Sequence, residues 1–522
     1  LPAWKKQRAG SIQIALPRLL IKTWHMAQSE SNERKWVLLF CLLAAIHVFI
    51  FSAAFPFFNN VDEQMHLDLV VKYSQGHVPH SLETVSPETA PFLAIYGTRE
   101  YVWSAEMLPE KKFPPPPWTL PASAADQTLL DKETVWKANV KNTEASQPPL
   151  YYTLAAAWWR TGDFFGFDGG RLLYWLRFLN ILIVVALVWL GGIAARTVFP
   201  ENLFLRRAVP ALLAFIPQTA FYSIQNDALS PLCFGAAFVL LVKFFQAEVP
   251  DTRLGAIAGL ALAATFLTKI SNLPLLAVSA IFIALKIFRL ARDGKLIRSI
   301  SPLAALFYCA ALPMIAWLVW TKYNFGDFTG SAAKIQFLGW TLKPFADWWH
   351  HPIFTPSGFW TFIHDLLSTF WQGEILWHRK PLALPSVDLV YVLLTFILIA
   401  IALINLSSKF KSATKLQRET LWFGFTCFIA SIAFFGFLSI IYDFHDCFYP
   451  SSEHPYFTSG RLMLGALIPF LLLFVFGLDC ALKKFGNTAK FLVLSAVILF
   501  MLVSEITVDW PVFSNPYNWF HM

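Results

Sequence analysis

Residues 36–68 decide the fold: "WVLLFCLLAAIHVFIFSAAFPFF", followed at once by "NNVDEQMHLD". The first part is an apolar run long enough to cross ~30 Å of hydrocarbon as a helix. The second places three acids and a histidine within residues 62–68, at the mouth of that span. A long basic stretch precedes the run and no small-residue cleavage site follows it. The run therefore reads as an uncleaved anchor, not a signal peptide.

The same apolar pattern recurs along the chain. Of its 522 residues 56% are hydrophobic and only 14% charged, where a soluble domain carries roughly 25% charged residues. Blocks of span length predict an all-α polytopic membrane protein with about eleven transmembrane helices. They lie near 37–57, 173–195, 207–223, 228–246, 254–270, 273–289, 302–321, 386–406, 420–441, 461–481 and 490–508. Alternate connections are basic: the arm 1–36, "ARTVFPENLFLRR", "KIFRLARDGKLIR", "SSKFKSATKLQRE" and "LKKFGNTAK". These are expected in the cytoplasm. The others, 58–170, 322–385, 442–460 and the tail 509–522, are long, aromatic and net acidic, and are expected outside. The N-terminus is then inside and the C-terminus outside. The net charge of +8 reads as an inside-positive topology signal that would suit contact with anionic lipids; it gives no reason to expect nucleic-acid binding. The segment "SIQIALPRLLIKTWHMA" reads equally as a helix lying on the inner surface or as a disordered arm. Only Cys447 of the six cysteines falls in an exterior loop, so no disulfide framework is implied.

Three regions follow: the basic arm 1–36, a module 37–285 that includes the exterior loop 58–170, and a second module 286–522. Within the large loop, "PLYYTLAAAWW" is too short to span, and its Pro-Pro and Trp flanks predict a helix lying on the outer surface.

If a helix begins near Val61, Asp62 and His66 stand one turn apart, with Glu63 beside His66. Such a group suits a general base, a metal ligand or a pH sensor; the alternative is an acidic first turn that favours the helix dipole. Arg171 and Arg177 open the second span, Lys269 ends the fifth and Arg461 opens the tenth. Cations at these depths on an otherwise acidic side point to an anionic ligand, phosphate first. Asp227 in "SIQNDALSP" is either a helix cap or a second carboxylate of the same site. His445, Asp446 and His454 match no strong metal spacing.

These features, in this order, resemble the GT-C class of membrane glycosyltransferases. "VDEQMH" resembles the DExxH stretch of the protein O-mannosyltransferase-like and aminoarabinose-transferase-like members. "QPPLYYTL" resembles their HPPL stretch, with Gln147 where His is usual. "LRFLNIL", "QNDALSP", "LTKIS" and "SGRLMLG" resemble segments of a bacterial branch of the class. The resemblance implies a GT-C fold in the bacterial cytoplasmic membrane with an outward-facing site. It also implies inverting transfer of a sugar from a polyprenyl-phosphate donor to a glycan, lipid or protein acceptor. Asp62 would be the base, with Glu63 and His66 beside it. Arg177, with Arg171, Lys269 and Arg461, would hold the phosphate. A divalent metal, Mg or Mn, would sit on Asp62 and Asp227 with Glu63 if one is used. Two rival readings remain. One is an O-antigen ligase or polymerase working through His350, His351, His364 and Arg379; the other is a flippase for lipid-linked sugars.

Overall fold

The computed structural model describes residues 15–101, 103–120, 123–407 and 413–521. The expectations for residues 1–14 and for 408–412 of the basic connection fall outside them. The described residues are all-α apart from two pairs of two-residue strands: Thr341–Leu342 with Tyr442–Asp443, and Leu376–Trp377 with Lys380–Pro381. All six cysteines are free.

Among the described residues, nine helical stretches are long and apolar enough to cross a membrane. They are Glu33–Ala54, Gly169–Val198, Asn226–Gln246, Ile270–Arg292, Ile297–Phe325, Pro385–Leu406, Lys415–Ile441, Gly460–Ala481 and Asn487–Phe513. The first is the upper part of one continuous helix, Ala15–Ala54.

The count of eleven is corrected by two segments. The block expected at 207–223 is helical only over Leu203–Ala214. Pro217 cannot extend a helix and biases the residue before it towards extended backbone, so the chain continues as a single 3-10 turn, Thr219–Tyr222. The block expected at 254–270 is the helix Thr252–Thr268, stopped by extended backbone at Lys269. At 1.5 Å per residue these helices cover roughly 18 and 25 Å. Yet Asp227, just beyond the first segment, and Lys269, at the end of the second, meet at one end of the bundle. Neither helix alone is long enough for a full ~30 Å crossing.

Burial orders the bundle. Gly460–Ala481 has 89% of its apolar window buried, whereas Ile297–Phe325 has 17%. The first is the central helix and the second is peripheral. One apolar core runs from Val37 to Val512 and takes residues from both sides of the 285/286 division. A second cluster lies in and under the large loop, where Leu150–Phe164 packs Tyr151, Tyr152, Ala155 and Trp159 against the helix Glu63–Ser74. The "PLYYTLAAAWW" helix is thus 15 residues long, too short to span, and fastened to the loop.

Candidate functional site

The three acids of "NNVDEQMHLD" have three different fates. Asp68 is fully buried and ties the loop together, accepting from Ser86 N and Asn142 Nδ2 at 2.7 Å each and pairing with Lys72 at 2.8 Å. Glu63 is also fully buried and forms a two-pronged pair with Arg177, Nε to Oε1 at 2.9 Å and Nη2 to Oε2 at 2.8 Å. Its carboxylate further accepts from Phe58 N and Ile224 N. Arg177 donates its remaining N–H groups to the carbonyls of Ser52, Phe55 and Pro56, and its guanidinium lies over the Phe57 ring. All five donors of a guanidinium are then used. Arg177, expected to hold a phosphate, has every N–H group on a protein acceptor here. It caps the carbonyl end of the first span and locks it to the loop, and Glu63 is its counter-ion.

Asp62 turns the other way. Its backbone is left-handed, φ 64°, a conformation that is uncommon for a non-glycine residue and clusters at functional sites. Its carbonyl accepts from Met65 N and His66 N, but its side chain does not cap the helix. Instead the carboxylate accepts from Arg461 Nη2 at 2.9 Å. Arg461 also donates from Nη1 to Asp227 at 2.8 Å and to Gln225 at 3.0 Å, and from Nε to Glu374 at 3.0 Å. Lys269 Nζ donates to the same Asp227 oxygen at 2.6 Å and to Asn226 Oδ1 at 3.2 Å. Asp227 is no helix cap, because Leu229 holds that position; its other oxygen, Oδ1, is buried with no partner among the described residues. The central helix can present Arg461 here because the residue before it is glycine. A Cβ at Gly460 would collide with the backbone of Leu366 and Phe370 in the helix Pro356–Gln372.

Hydrogen bonds extend this core to one side. Asn226 Nδ2 donates to Gln147 Oε1 at 3.1 Å, Gln147 Nε2 donates to Glu144 at 2.6 Å, and Lys334 pairs with the same carboxylate. On the other side the Ser459 hydroxyl donates to Glu374 at 2.6 Å. Asp62, Asp227 and Glu374 thus surround Arg461 and Lys269, with Lys334–Glu144 at the edge.

Burial would raise the Asp62 carboxyl, but Arg461, helped by Lys334 and His66, holds it at about 2. Burial raises Glu374 and outweighs the opposing pull of Arg461 and Ser459. Burial would lower the Lys334 ammonium, but Glu144 and Asp62 keep it above its ordinary value. Access is uneven. The Asp62 side chain is 32% exposed and that of Lys334 31%, while Arg461 is 5% exposed. A ligand would meet one carboxylate and one ammonium at the surface, with buried cations behind.

The other expected residues separate from this core. His66 is buried, its Nδ1 2.7 Å from the Tyr152 hydroxyl, and burial lowers it to about 4; it lies behind the cluster as a neutral ring. Arg171 is exposed and joins neither network among the described residues. A metal on Asp62 and Asp227 does not fit this arrangement, because both carboxylates already bind one guanidinium. Among the described residues no three His, Cys, Asp or Glu side chains are grouped to hold an ion. Of the rival set, His351 is tied to Pro455 O and Ile353 N, His364 pairs with Asp365, and Arg379 reaches only Met107 Sδ.

Glu374, Ser459, Lys334 and Glu144 belong to the site but were not expected in it. All lie in connections or a short helix, where no apolar periodicity frames a charge. The available signal was Glu374 itself, an acid directly after Gly373 at a helix end.

The chain belongs to the family described as predicted membrane protein (DUF2142), whose model matches residues 41–440. It is an integral multi-pass membrane protein. The matched span contains Asp62, Asp227, Lys269, Lys334 and Glu374, and ends before Ser459 and Arg461. No curated protein matches the chain.

Proposed function

We propose that the chain is a membrane glycosyltransferase of the GT-C kind, transferring a sugar from a polyprenyl-phosphate donor to an acceptor hydroxyl at the outer face of the bacterial cytoplasmic membrane. One observation carries this reading: a single open carboxylate, Asp62, lies over a buried, cation-bearing cluster at the end of the bundle that carries the large loop. The positive-inside pattern of the connections supports an outward orientation for that end.

A carboxylate held at about 2 is a weak base, so the resting pair with Arg461 must loosen. A donor phosphate supplies the means. Lys334 and the one Nη2 hydrogen of Arg461 not already committed offer it charge-assisted contacts. The anion then competes with Asp62 for the guanidinium, and the freed carboxylate becomes more basic. Asp62 takes the proton of the acceptor hydroxyl. The acceptor oxygen bonds to the anomeric carbon as the carbon–phosphate oxygen bond breaks, with inversion. Arg461 and Lys334 stabilise the charge that develops on the leaving phosphate, the kind of preorganised electrostatic contribution that is usually the largest in catalysis. This assignment moves the phosphate role from Arg177 to Lys334 and Arg461, with Lys269 as a support that holds Asp227.

The test is purification in detergent with polyprenyl-phosphate sugars and assay of sugar transfer and carrier release. Wild type should release carrier only with acceptor present, and Asp62→Asn should not. Donor consumption unchanged by Asp62→Asn would overturn the reading. The flippase alternative draws support from ionisable residues within the spans, His47, Glu505 and Asp509. It requires a sealed bilayer, whereas transfer proceeds in detergent.

A further inference from the structure

Below the Asp62 cluster, a second polar group is buried inside the bundle. Glu505 and Asp509 stand one turn apart on Asn487–Phe513. Glu505 accepts from the Tyr222 hydroxyl at 2.5 Å and meets His47 Nε2 at 2.8 Å. His47 Nδ1 lies 3.2 Å from Ala214 O, where the short helix Leu203–Ala214 ends. Every polar atom of that trio has a partner. Asp509 has none: it is 3% exposed, yet it accepts no hydrogen bond and forms no ion pair among the described residues.

Asp509 faces a small cleft of about 20 Å³, shared with Glu505, Pro217, Thr219, Gln372 and Gly373. Here a second atom is orphaned, the buried Thr219 Oγ1. Gly373 keeps the space open. Its φ is +85°, and a Cβ there would collide with the Thr219 hydroxyl and the Gln218 side-chain oxygen. The cleft therefore presents an unpaired carboxylate and an unpaired hydroxyl to one volume, with backbone close by.

Charge narrows the occupant. His47 lies against Glu505, and no lysine or arginine pairs with either acid among the described residues. An ionised Asp509 would have no lysine or arginine against it, at a depth where that is costly, and a bound cation would supply the missing charge. The facing donors are oxygens, which suit a hard cation. Among the described residues no three His, Cys, Asp or Glu side chains are grouped as a divalent site would need.

We infer that the cleft between Asp509, Glu505 and Thr219 binds one small monovalent cation, sodium by its oxygen lining. The segment 372–375 forms its wall, and that segment also carries Glu374, which turns to the opposite side and bonds Arg461. An ion at Asp509 thus sits directly behind the cluster that holds Asp62. The inference stands whether or not sugar is transferred, since it is read by binding alone.

The experiment uses the full chain, purified without sodium. Its unfolding temperature is followed as NaCl replaces choline chloride at fixed ionic strength, with KCl as a parallel series. Saturable stabilisation of a few degrees by sodium, and little by potassium, is expected, because a ligand that binds only the folded state raises its stability. Asp509→Asn should abolish the shift, and Thr219→Val should move its midpoint to higher sodium. If Asp509→Asn does not fold, sodium-22 binding to wild type and to Thr219→Val decides. Equal responses to sodium, potassium and choline would overturn the site. So would stabilisation by acid without any by sodium, which would make Asp509 a protonated carboxyl beside a water.

Discussion

Asp62 and Arg461 are 399 residues apart in the chain and 2.9 Å apart in space. One follows the first span and the other opens the central helix, so the contact ties these two segments together at one end of the bundle. The pair is asymmetric. Arg461 is held by Asp227, Glu374 and Gln225 as well as by Asp62, whereas the Asp62 carboxylate has Arg461 as its one hydrogen-bond partner among the described residues. Whatever competes for Arg461 therefore frees Asp62 before it loosens the others.

Arg177 and Glu63 should behave as structure, not as donor contacts. Breaking a fully buried pair by removing one member typically costs ~3–5 kcal/mol. Arg177→Ala is expected to lower the yield of folded protein and its unfolding temperature sharply. Arg177→Lys should rescue little, since three donors replace five. Folded Arg177→Ala protein with normal stability but weakened donor binding would restore the phosphate role.

Much of this cluster was legible in the sequence, and the reason Arg177 stands apart from it is local. Asp62 and Glu63 are neighbours, and helical spacing alone puts both near His66. The left-handed turn at Asp62 sends the two carboxylates to different partners, and no periodicity reveals such a turn in advance. Span positions were legible because hydrocarbon thickness sets a length. The two short helices departed from it because Pro217 and the extended Lys269 interrupt them. Lys269, Asp227 and Arg461, which lie together, were legible as candidates because a charge at a span end stands out against apolar neighbours. Glu374 and Lys334 have polar neighbours and gave no such contrast.

Acid stability offers a test of His66. Its folded-state ring is lowered to about 4, against ~6.5 when unfolded. The unfolded chain therefore binds the extra proton between these values. The contribution of His66 is complete above pH ~6.5 and is lost as pH falls towards 4. Glu100, pushed up to about 7 by burial, acts in the opposite sense over part of the same range. The wild-type profile alone is thus ambiguous, and the difference from His66→Gln is the measurement. The variant should lose less stability than wild type between pH 6.5 and 4. Parallel profiles would place the proton elsewhere.

Lys334 separates binding from folding. Its side chain is 31% exposed and pairs with Glu144 at the edge of the cluster, so Lys334→Ala should cost little stability. Its absence should raise the KM for the polyprenyl-phosphate donor roughly tenfold or more, since charge-assisted contacts contribute ~1.5–3 kcal/mol. Arginine at this position should retain most of the affinity, because it keeps the charge. A KM unchanged in Lys334→Ala would remove this residue from the donor site.

The sharpest test returns to the first residue of the cluster. Asp62→Asn keeps the size of the side chain and an oxygen for Arg461, but it cannot take a proton at neutral pH. Arg461 retains Asp227 and Glu374, so the fold should survive and the unfolding temperature should change little. Loss of a general base typically costs 10²–10⁴-fold in rate, and turnover should fall in that range. Donor binding should be equal or tighter, because the asparagine competes less strongly for the guanidinium than a carboxylate does. Glu63→Gln should give the reverse pattern, with stability lost through the buried pair with Arg177 and turnover per folded molecule largely retained. Turnover, donor affinity and unfolding temperature measured on both variants distinguish the two acids. Near-wild-type transfer by Asp62→Asn would mean that Asp62 serves only to close the bundle onto Arg461.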